Sequence, residues 1–244
     1  MLRKDDLQNG FFIDQDPDYF CFGIDAVLLA HFHEIRDGDR VLDMGCGFGP
    51  VPLIMRGCLP EGADVRMTGL EIQDFVAETA ERSVRENGLS DEIGIVKGDI
   101  REAARIFGAA SFSLVTCNPP YMAVKDGLVG ENRSRAVART EVCCTLRDVI
   151  CQAARLLRPK GRFAMIHRPF RLPEMLSLMR DCRLEPKRLR MIHPRAGAEA
   201  SMVLIEAVRG GRPYLIAEPP LMIYGPDGTY TQEVLDIYAG RRRS

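Results

Sequence analysis

Short apolar runs that favour buried strands alternate along the chain with longer segments in which apolar residues recur at helical spacing. The predicted strands lie within residues 40–49 and at 64–72, 93–100, 111–121 and 162–168. The predicted helices lie at 22–33, 51–59, 74–88, 146–161 and 172–182. Strands that alternate with helices pair in parallel and are covered on both faces, so the pattern predicts an α/β fold with a mostly parallel sheet.

The pattern changes near the end of the chain, where two strands follow each other with only a short turn between them. Residues 186–194 and 200–211 flank a turn that contains Gly197, which predicts an antiparallel hairpin in the sheet. The tail beyond it holds a Pro-Asp-Gly turn and one short helix. We therefore expect one domain over 1–244, with an N-terminal extension and helix at 1–35, the core sheet at 36–210 and a tail at 211–244.

The composition is that of an ordinary soluble globular protein. The 244 residues are 46% apolar and 27% charged, and this length suits one α/β domain. No apolar run approaches the ~20 residues of a membrane helix, and the N-terminus lacks an apolar leader, so we expect a cytoplasmic protein without a membrane partner. The eight cysteines form no CxxC pair and no zinc-type spacing, so we expect reduced thiols and no metal site.

Charge is distributed unevenly, although the net charge is only −1. Residues 1–121 hold 11 Lys and Arg against 21 Asp and Glu, a net of −10, whereas residues 122–244 hold 22 against 13, a net of +9. A polyanion such as a nucleic acid would be attracted to the basic half. A solvated, arginine-rich surface without such a partner is the alternative interpretation.

The stretch "VLDMGCGFGP" combines a strand, an acid and a glycine turn. Asp43 comes first, and Gly45, Gly47 and Gly49 follow it. Glycines at the end of a strand let a ligand approach the backbone closely. The spacing is GxGxG where a dinucleotide fold has GxGxxG, and Asp43 would repel a pyrophosphate. A cationic ligand fits better, such as the sulfonium and amino groups of S-adenosylmethionine (SAM).

Two further acids follow predicted strands. Glu71 ends the second strand, where a carboxylate can accept both ribose hydroxyls, and Asp99 ends the third, near the expected position of an adenine amino group. Taken singly, each is an ordinary solvated acid at a strand end. Ligands of open α/β sheets bind at the carboxyl ends of the strands, so the acids and the glycine turn together predict a nucleoside site.

The fourth predicted strand ends in Asn118-Pro119-Pro120-Tyr121. The two prolines fix φ and bias the residue before each towards an extended shape, so the tip should be stiff. A tight turn with an asparagine cap is one interpretation. In the other, the Asn118 side-chain oxygen and the Pro119 carbonyl accept the two N–H groups of a planar amine such as adenine N6, while Tyr121 stacks on the base.

The motifs "DMGCGFG", "LEI", "KGDI" and "NPPY" together resemble class I N-methyltransferases that act on planar nitrogens. Longer stretches at 20–32, 131–141, 144–169, 186–194, 199–213 and 223–234 resemble the bacterial tRNA (adenine-N6) methyltransferases, which modify an adenine beside the anticodon of a valine tRNA. The resemblance implies a Rossmann-like, seven-stranded class I methyltransferase fold with helices on both faces. It also implies SAM as cofactor, S-adenosylhomocysteine as product, and tRNA as partner.

The resemblance also implies which residues form the sites. The implied catalytic tip is Asn118, Pro119, Pro120 and Tyr121. The implied cofactor site comprises Asp25, Asp43, Gly45, Cys46, Gly47, Gly49, Glu71, Ile72, Asp99, Ile100 and Asn118. Asp25 would lie near the methionine end of SAM, although its chemistry equally suits a helix N-cap.

Three arginines, Arg133, Arg135 and Arg139, follow the tip and could hold phosphates on either side of a flipped base; a solvated loop is the alternative.

The leading hypothesis is methylation of adenine N6 in structured RNA, with tRNA near the anticodon as the expected target. NPPY also marks glutamine and DNA methyltransferases, so methylation of glutamine N5 or another planar amine in protein or DNA is the first alternative. A SAM-binding RNA module without turnover is the second.

Overall fold

The computed structural model describes residues 2–119 and 144–241. The strands are β1 (Arg3–Asp6), β2 (Phe12–Gln15), β3 (Arg40–Met44), β4 (Arg66–Glu71), β5 (Ile93–Lys97), β6 (Phe112–Cys117), β7 (Leu157–His167), β8 (Leu184–His193), β9 (Met202–Arg209), β10 (Ile216–Ala217) and β11 (Leu221–Met222). The helices are α1 (Ile24–Phe32), α2 (Pro50–Gly57), α3 (Asp74–Glu86), α4 (Ala103–Phe107), α5 (Leu146–Leu156), α6 (Leu172–Asp181) and α7 (Gln232–Tyr238). Single 3₁₀ turns at Ile100–Glu102 and Pro169–Arg171 precede α4 and α6.

One large sheet organises this part of the chain, with strand order β10-β8-β9-β7-β6-β3-β4-β5. Strands β3 to β7 pair in parallel, and β9 pairs antiparallel to both β7 and β8. The predicted parallel sheet and terminal hairpin are therefore confirmed. Strands β10 and β11 extend the sheet along β8 and were not predicted, because two residues are too few to show a strand period.

The core lies on both faces of this sheet. Leu28 of α1, Leu53 of α2 and Val76 of α3 belong to one buried cluster, whereas Ile150 of α5 and Met175 of α6 belong to the other. The central strands serve both clusters because successive side chains of a strand point to opposite faces. The result is a three-layer α/β arrangement that leaves the carboxyl ends of the parallel strands together at one edge.

Helix α5 is shorter than predicted. It begins with a capping box, in which the Thr145 hydroxyl accepts from the Asp148 N–H at 3.2 Å and the Asp148 carboxylate accepts from the Thr145 N–H at 2.9 Å. The prediction extended it to residue 161, but it ends at Leu156 and β7 begins at Leu157. Pro159 explains the early end, because a proline disfavours helical geometry in the residue before it.

The N-terminal extension contains a hairpin that the sequence did not predict. Strands β1 and β2 pair antiparallel and dock on α3, where the Phe12 N–H donates to Asn87 Oδ1 and the Asp14 N–H donates to Ser83 Oγ, both at 3.0 Å. Ile13 is fully buried beneath them. The short strands are rich in charge, which concealed their pairing in the sequence pattern.

The expectation that all cysteines are reduced thiols is corrected at one pair. Cys151 of α5 and Cys182, directly after α6, form a disulfide with their Cα atoms 5.5 Å apart. The packing of α5 against α6 brings together residues that are 31 positions apart, a proximity that cysteine spacing alone does not show. Across residues 2–119 and 144–241, no helix has the length and hydrophobicity needed to span a membrane.

Candidate active site

The carboxyl ends of β3, β4 and β6, and the turn after β5, surround an open cleft of about 1080 Å³, including the part open to solvent. Ten of the predicted site residues line it, namely Asp43, Gly45, Cys46, Gly47, Glu71, Ile72, Asp99, Ile100, Asn118 and Pro119. The structure thus brings the glycine turn, the strand-end acids and the start of the proline tip into one place. This is the edge at which ligands of open α/β sheets bind.

Backbone geometry explains the glycine turn. The N–H groups of Gly45 and Cys46 both donate to the Leu70 carbonyl, at 2.8 and 3.0 Å, which holds the turn against the end of β4. Gly45 and Gly47 have φ of 71° and 56°, in the left-handed region that residues with a β-carbon seldom adopt. Gly49 caps α2 and is not among the residues that line the cleft.

Asp43 is a buried acid in β3, with 3% of its surface exposed. Its Oδ1 accepts a hydrogen bond from Thr116 Oγ1 at 2.8 Å. Burial raises the pKa of Asp43 to about 7 and the nearby Glu71 adds to this, while the Thr116 hydrogen bond opposes it. Near neutral pH the carboxyl therefore exchanges readily between its neutral and anionic forms, and a cation in the cleft would favour the anion.

Glu71 ends β4, as predicted, and is 5% exposed. Its Oε2 accepts from the Gly47 N–H at 3.0 Å, and its Oε1 accepts from the Gln73 N–H at 2.9 Å. Burial raises the pKa of this carboxyl, and the backbone hydrogen bonds partly offset that effect. Each carboxylate oxygen can accept a further bond, so Glu71 can fix the glycine turn and also accept hydroxyl donors from a ligand.

Asp99 lies two residues beyond β5, where it caps the 3₁₀ turn. Its Oδ1 accepts from the Arg101 N–H at 2.8 Å, and its Oδ2 accepts from Arg101 Nε at 2.9 Å. The hydrogen bond with the Arg101 side chain lowers the pKa of Asp99. Asp99 is thus an ionised acid on the cleft wall whose charge is already balanced by its neighbour.

Asn118 follows β6, and its amide is held by a residue from the other end of the chain. Asn118 Nδ2 donates to Asp25 Oδ2 at 3.0 Å, across 93 residues of sequence. Asp25 is buried in the first turn of α1, where Oδ1 accepts from the N–H groups of Gly23 and Ala26 at 3.2 and 3.0 Å. The N-cap position of α1 is Gly23, so the N-cap interpretation of Asp25 is wrong. Asp25 does not line the cleft itself and reaches it through Asn118.

Sequence reasoning missed an aromatic wall. Tyr19, Phe20 and Phe22, just before α1, line the cleft, and Tyr19 stacks on Phe75 with ring centroids 4.9 Å apart. The cluster of rings in "DYFCF" was the available signal.

Five predicted site residues lie outside the described part of the chain, namely Pro120, Tyr121, Arg133, Arg135 and Arg139.

Gly69 was also missed, although a glycine inside a strand is a known sign of close backbone approach. It lies in β4, directly beside Asp43 of β3. A β-carbon at Gly69 would come within 2.6 Å of Cys46 Sγ and 2.9 Å of Ile95 Cδ1. Gly69 therefore leaves the space in which Cys46, and with it the glycine turn, can pack.

Comparison with known proteins agrees with this geometry. Residues 13–182 match the family model of the methyltransferase small domain. The chain belongs to this family. The tRNA1(Val) (adenine(37)-N6)-methyltransferase of Porphyromonas gingivalis is 32% identical, over 80% of this chain and 77% of that protein. The protein of the same name from Aeromonas hydrophila is 27% identical, over 93% of this chain and 92% of its own.

A crystal structure of a predicted O-methyltransferase from Agrobacterium tumefaciens is 26% identical and superposes with a TM-score of 0.72, covering 90% of this chain and 98% of that one. The predicted family and the class I methyltransferase fold are thereby confirmed, and the protein is a SAM-dependent methyltransferase.

The cleft fits SAM. Its described lining contains three carboxylates, those of Asp43, Glu71 and Asp99, and neither lysine nor arginine. Such a surface suits a cationic sulfonium ligand and disfavours a pyrophosphate. The remaining lining is largely apolar and aromatic, as expected for a nucleoside pocket.

Proposed function

We propose that the protein methylates the N6 amino group of an adenine in tRNA, near the anticodon, with SAM as the methyl donor. The observation that carries this proposal is the Asn118 amide, which stands on the cleft wall and is oriented by Asp25. Because Asp25 takes the donor nitrogen, the amide oxygen is assigned to accept from the substrate. The names of the relatives support adenine N6 in tRNA as the target.

The acids divide the binding of SAM between them in this proposal. Glu71 would accept the ribose hydroxyls, Asp43 would face the positive charge of the sulfonium and amino groups, and Asp99 with Ile100 would contact the adenine. Gly45 and Gly47 let the ligand approach the backbone. When bound, SAM supplies an electrophilic methyl group on a positively charged sulfur.

The tip acts by positioning. Asn118 Oδ1 and the Pro119 carbonyl accept the two N–H groups of the target amine, which turns the nitrogen lone pair towards the methyl group. As the nitrogen becomes positive during transfer, these acceptors bind it more strongly, so the tip stabilises the transition state. Pro120 would stiffen the tip and Tyr121 would stack on the base. No strong base is needed, because the methylated ammonium loses its extra proton readily.

The RNA is proposed to contact the basic half of the chain, with Arg133, Arg135 and Arg139 on phosphates beside the flipped base. Part of the positive charge in this half has an internal role. Arg162 pairs at 2.7 Å with Asp39, an acid of the first half that the net of +9 does not include. The salt dependence of RNA binding should therefore be shallower than a free charge of +9 would give. Action on tRNA places the reaction in the cytoplasm.

The deciding experiment supplies radiolabelled SAM to the purified protein with either total tRNA or total protein from a strain that lacks it. We expect label in tRNA, recovered as N6-methyladenosine after digestion to nucleosides. Label in protein alone, recovered as N5-methylglutamine, would overturn the RNA proposal. Unmethylated DNA from the same strain serves as the third acceptor and should stay unlabelled.

A further inference from the structure

Three tyrosines of the tail form a continuous row of stacked rings. The centroids of Tyr224 and Tyr230 are 5.3 Å apart with planes 15° from parallel, and those of Tyr230 and Tyr238 are 5.7 Å apart with planes 21° from parallel. Tyr224 and Tyr230 are bridge partners on either side of the Pro-Asp-Gly turn. Tyr224, at one end of the row, is 41% exposed, and Tyr230, in the middle, is 36% exposed.

The row lies at the same edge of the sheet as the cleft. Strand β8 runs parallel to β7, since β9 is antiparallel to both, and β11 runs parallel to β8. Tyr224 follows the carboxyl end of β11 by two residues, and its N–H donates to the Pro194 carbonyl just beyond β8, at 2.8 Å. Tyr224 and its stacked neighbours are therefore at the edge of the sheet at which Asn118 follows β6.

The inner end of the row approaches the residues that position the tip. Phe22 lines the SAM cleft and also a smaller cavity that Tyr238 lines. Helix α7, which carries Tyr238, packs against α1, which carries Asp25. Asp25 in turn holds Asn118. The rings thus lead from the surface towards the candidate target position.

The acids around the row are already engaged. Asp227 accepts from Thr229 Oγ1 at 2.8 Å, Glu233 pairs with Arg190 at 2.6 Å, and Asp236 pairs with Arg241 at 3.0 Å. A polyanion that lies across this surface would consequently meet two carboxylates, Glu233 and Asp236, whose charge is balanced by arginines. Exposed aromatic faces beside a nucleic-acid site are typical platforms for unpaired bases.

We propose that Tyr224, backed by Tyr230, forms a stacking platform for an unpaired RNA base next to the target adenine. The inference rests on the proposed function and adds to it a second recognition site, for a base that is not methylated. Stacking tolerates any base, so the platform would position the RNA loop and contribute little sequence selectivity.

A double-mutant cycle between protein and RNA tests this. The RNA probes are a hairpin with the target adenine in its loop, and the same hairpin with an abasic nucleotide in place of the adjacent loop base. Tyr224→Leu keeps apolar bulk in the turn and removes the ring. We expect it to raise KM for the intact hairpin about tenfold, the size of one base–aromatic stack, and to leave KM for the abasic hairpin within about twofold of wild type.

Three controls separate stacking from folding. Tyr224→Phe should restore KM, because the ring is retained. Tyr214→Ala removes a tyrosine that is 72% exposed near β10, beside the amino-terminal part of β8, and should change nothing. Affinity for SAM and the melting temperature should stay near wild-type values in all variants.

An equal effect of Tyr224→Leu on the two hairpins would overturn the platform while leaving the proposed function intact. If the wild-type protein methylates no RNA, the proposed function fails, and binding of the hairpins is then measured directly by fluorescence. In that case ring-dependent binding of the intact hairpin would still support the platform, and its absence would refute it.

Discussion

The two sides of the cleft are built in different ways. The cofactor side comes from consecutive strand ends between Asp43 and Ile100, and its acids are bonded to near neighbours in sequence or to the adjacent strand. The substrate side joins Asp25 of α1 to Asn118 after β6, and the tyrosine row lies beyond. Both sides require tertiary packing, but the residues of the first side belong to motifs that are recognisable locally in the sequence, whereas the Asp25–Asn118 pair of the second side belongs to no common motif.

The two sides also differ in their electrostatics. On the cofactor side, Asp43 and Glu71 are buried carboxyls whose pKa values are raised by burial, because their anionic forms have too little compensation. A bound cation would supply that compensation. On the substrate side, the group proposed to meet the substrate is the neutral amide of Asn118. In the proposed function, a cationic donor would thus be recognised by charge and a neutral amine by hydrogen-bond geometry. Substitutions on the two sides should accordingly separate SAM binding from methyl transfer.

The largest effect is expected for Asn118→Ala. Loss of the amide removes one acceptor from the target amine, and loss of one positioned transition-state hydrogen bond typically costs about 10²–10³-fold in kcat. SAM affinity should stay within about tenfold of wild type, because the acids that are proposed to bind it are untouched. Single-turnover methyl transfer and calorimetric titration with SAM measure the two quantities.

Cys117→Ala is the matched control for Asn118→Ala. Cys117 precedes Asn118 in β6, and its thiol donates to the Met44 carbonyl at 3.1 Å, so its replacement disturbs the same strand end without removing the amide. We expect turnover within about threefold of wild type. A loss in Cys117→Ala as large as that in Asn118→Ala would show that strand packing, and not the amide, controls transfer.

The cofactor side was predictable from sequence because its signals are local. An acid before a glycine turn, and an acid at the end of a strand, can be recognised from neighbouring residues alone, without knowledge of the tertiary structure. The Asp25–Asn118 hydrogen bond was not predictable, since only the tertiary packing of α1 brings these residues together. The Cys151–Cys182 pair was not predicted for the same reason, whereas β10 and β11 were not predicted because two residues are too few to show a strand period.

The next largest effect is expected for Asp43→Asn. The amide keeps the shape of the side chain but loses the charge opposite a cationic ligand. SAM binding should therefore weaken about 30-fold, which is the lower end of the range for losing one partner of a buried charge pair. In the wild type, protonation of Asp43 has the same consequence. Since its pKa is about 7, SAM affinity should fall about tenfold between pH 8 and pH 6. Titrations of Asp43→Asn across this range should be flat.

The same substitution should stabilise the ligand-free protein at high pH. The pKa of Asp43 is raised on folding, so the stability contributed by its neutral form is present below about pH 4 and is lost as pH rises through 7. Asp43→Asn should therefore melt above wild type at pH 8, with a difference that shrinks at pH 5. A variant that melts lower at pH 8 would contradict the view that the buried charge is held for SAM.

A smaller effect is expected for Asp25→Ala on the substrate side. Without Asp25, the Asn118 amide loses the acceptor that orients it, and kcat should fall about tenfold while SAM affinity is unchanged. Asp25→Asn retains an acceptor oxygen and should recover most of the rate. If both variants lose SAM binding instead, Asp25 belongs with the cofactor side, and the division of the cleft is wrong.

The smallest effect is expected for Arg101→Ala. Arg101 balances the charge of Asp99 from a largely exposed position, so its removal leaves a carboxylate with more freedom on the adenine side of the cleft. Partly exposed ion pairs contribute little, and we expect SAM affinity to change by at most about threefold with kcat unaltered. Asp99→Ala should weaken SAM binding more than Arg101→Ala, because only Asp99 is proposed to contact the ligand. Equal losses of SAM affinity in the two variants would mean that Arg101 fixes Asp99 in its binding position. The cofactor side would then depend on a positioning pair, as the substrate side depends on Asp25 and Asn118.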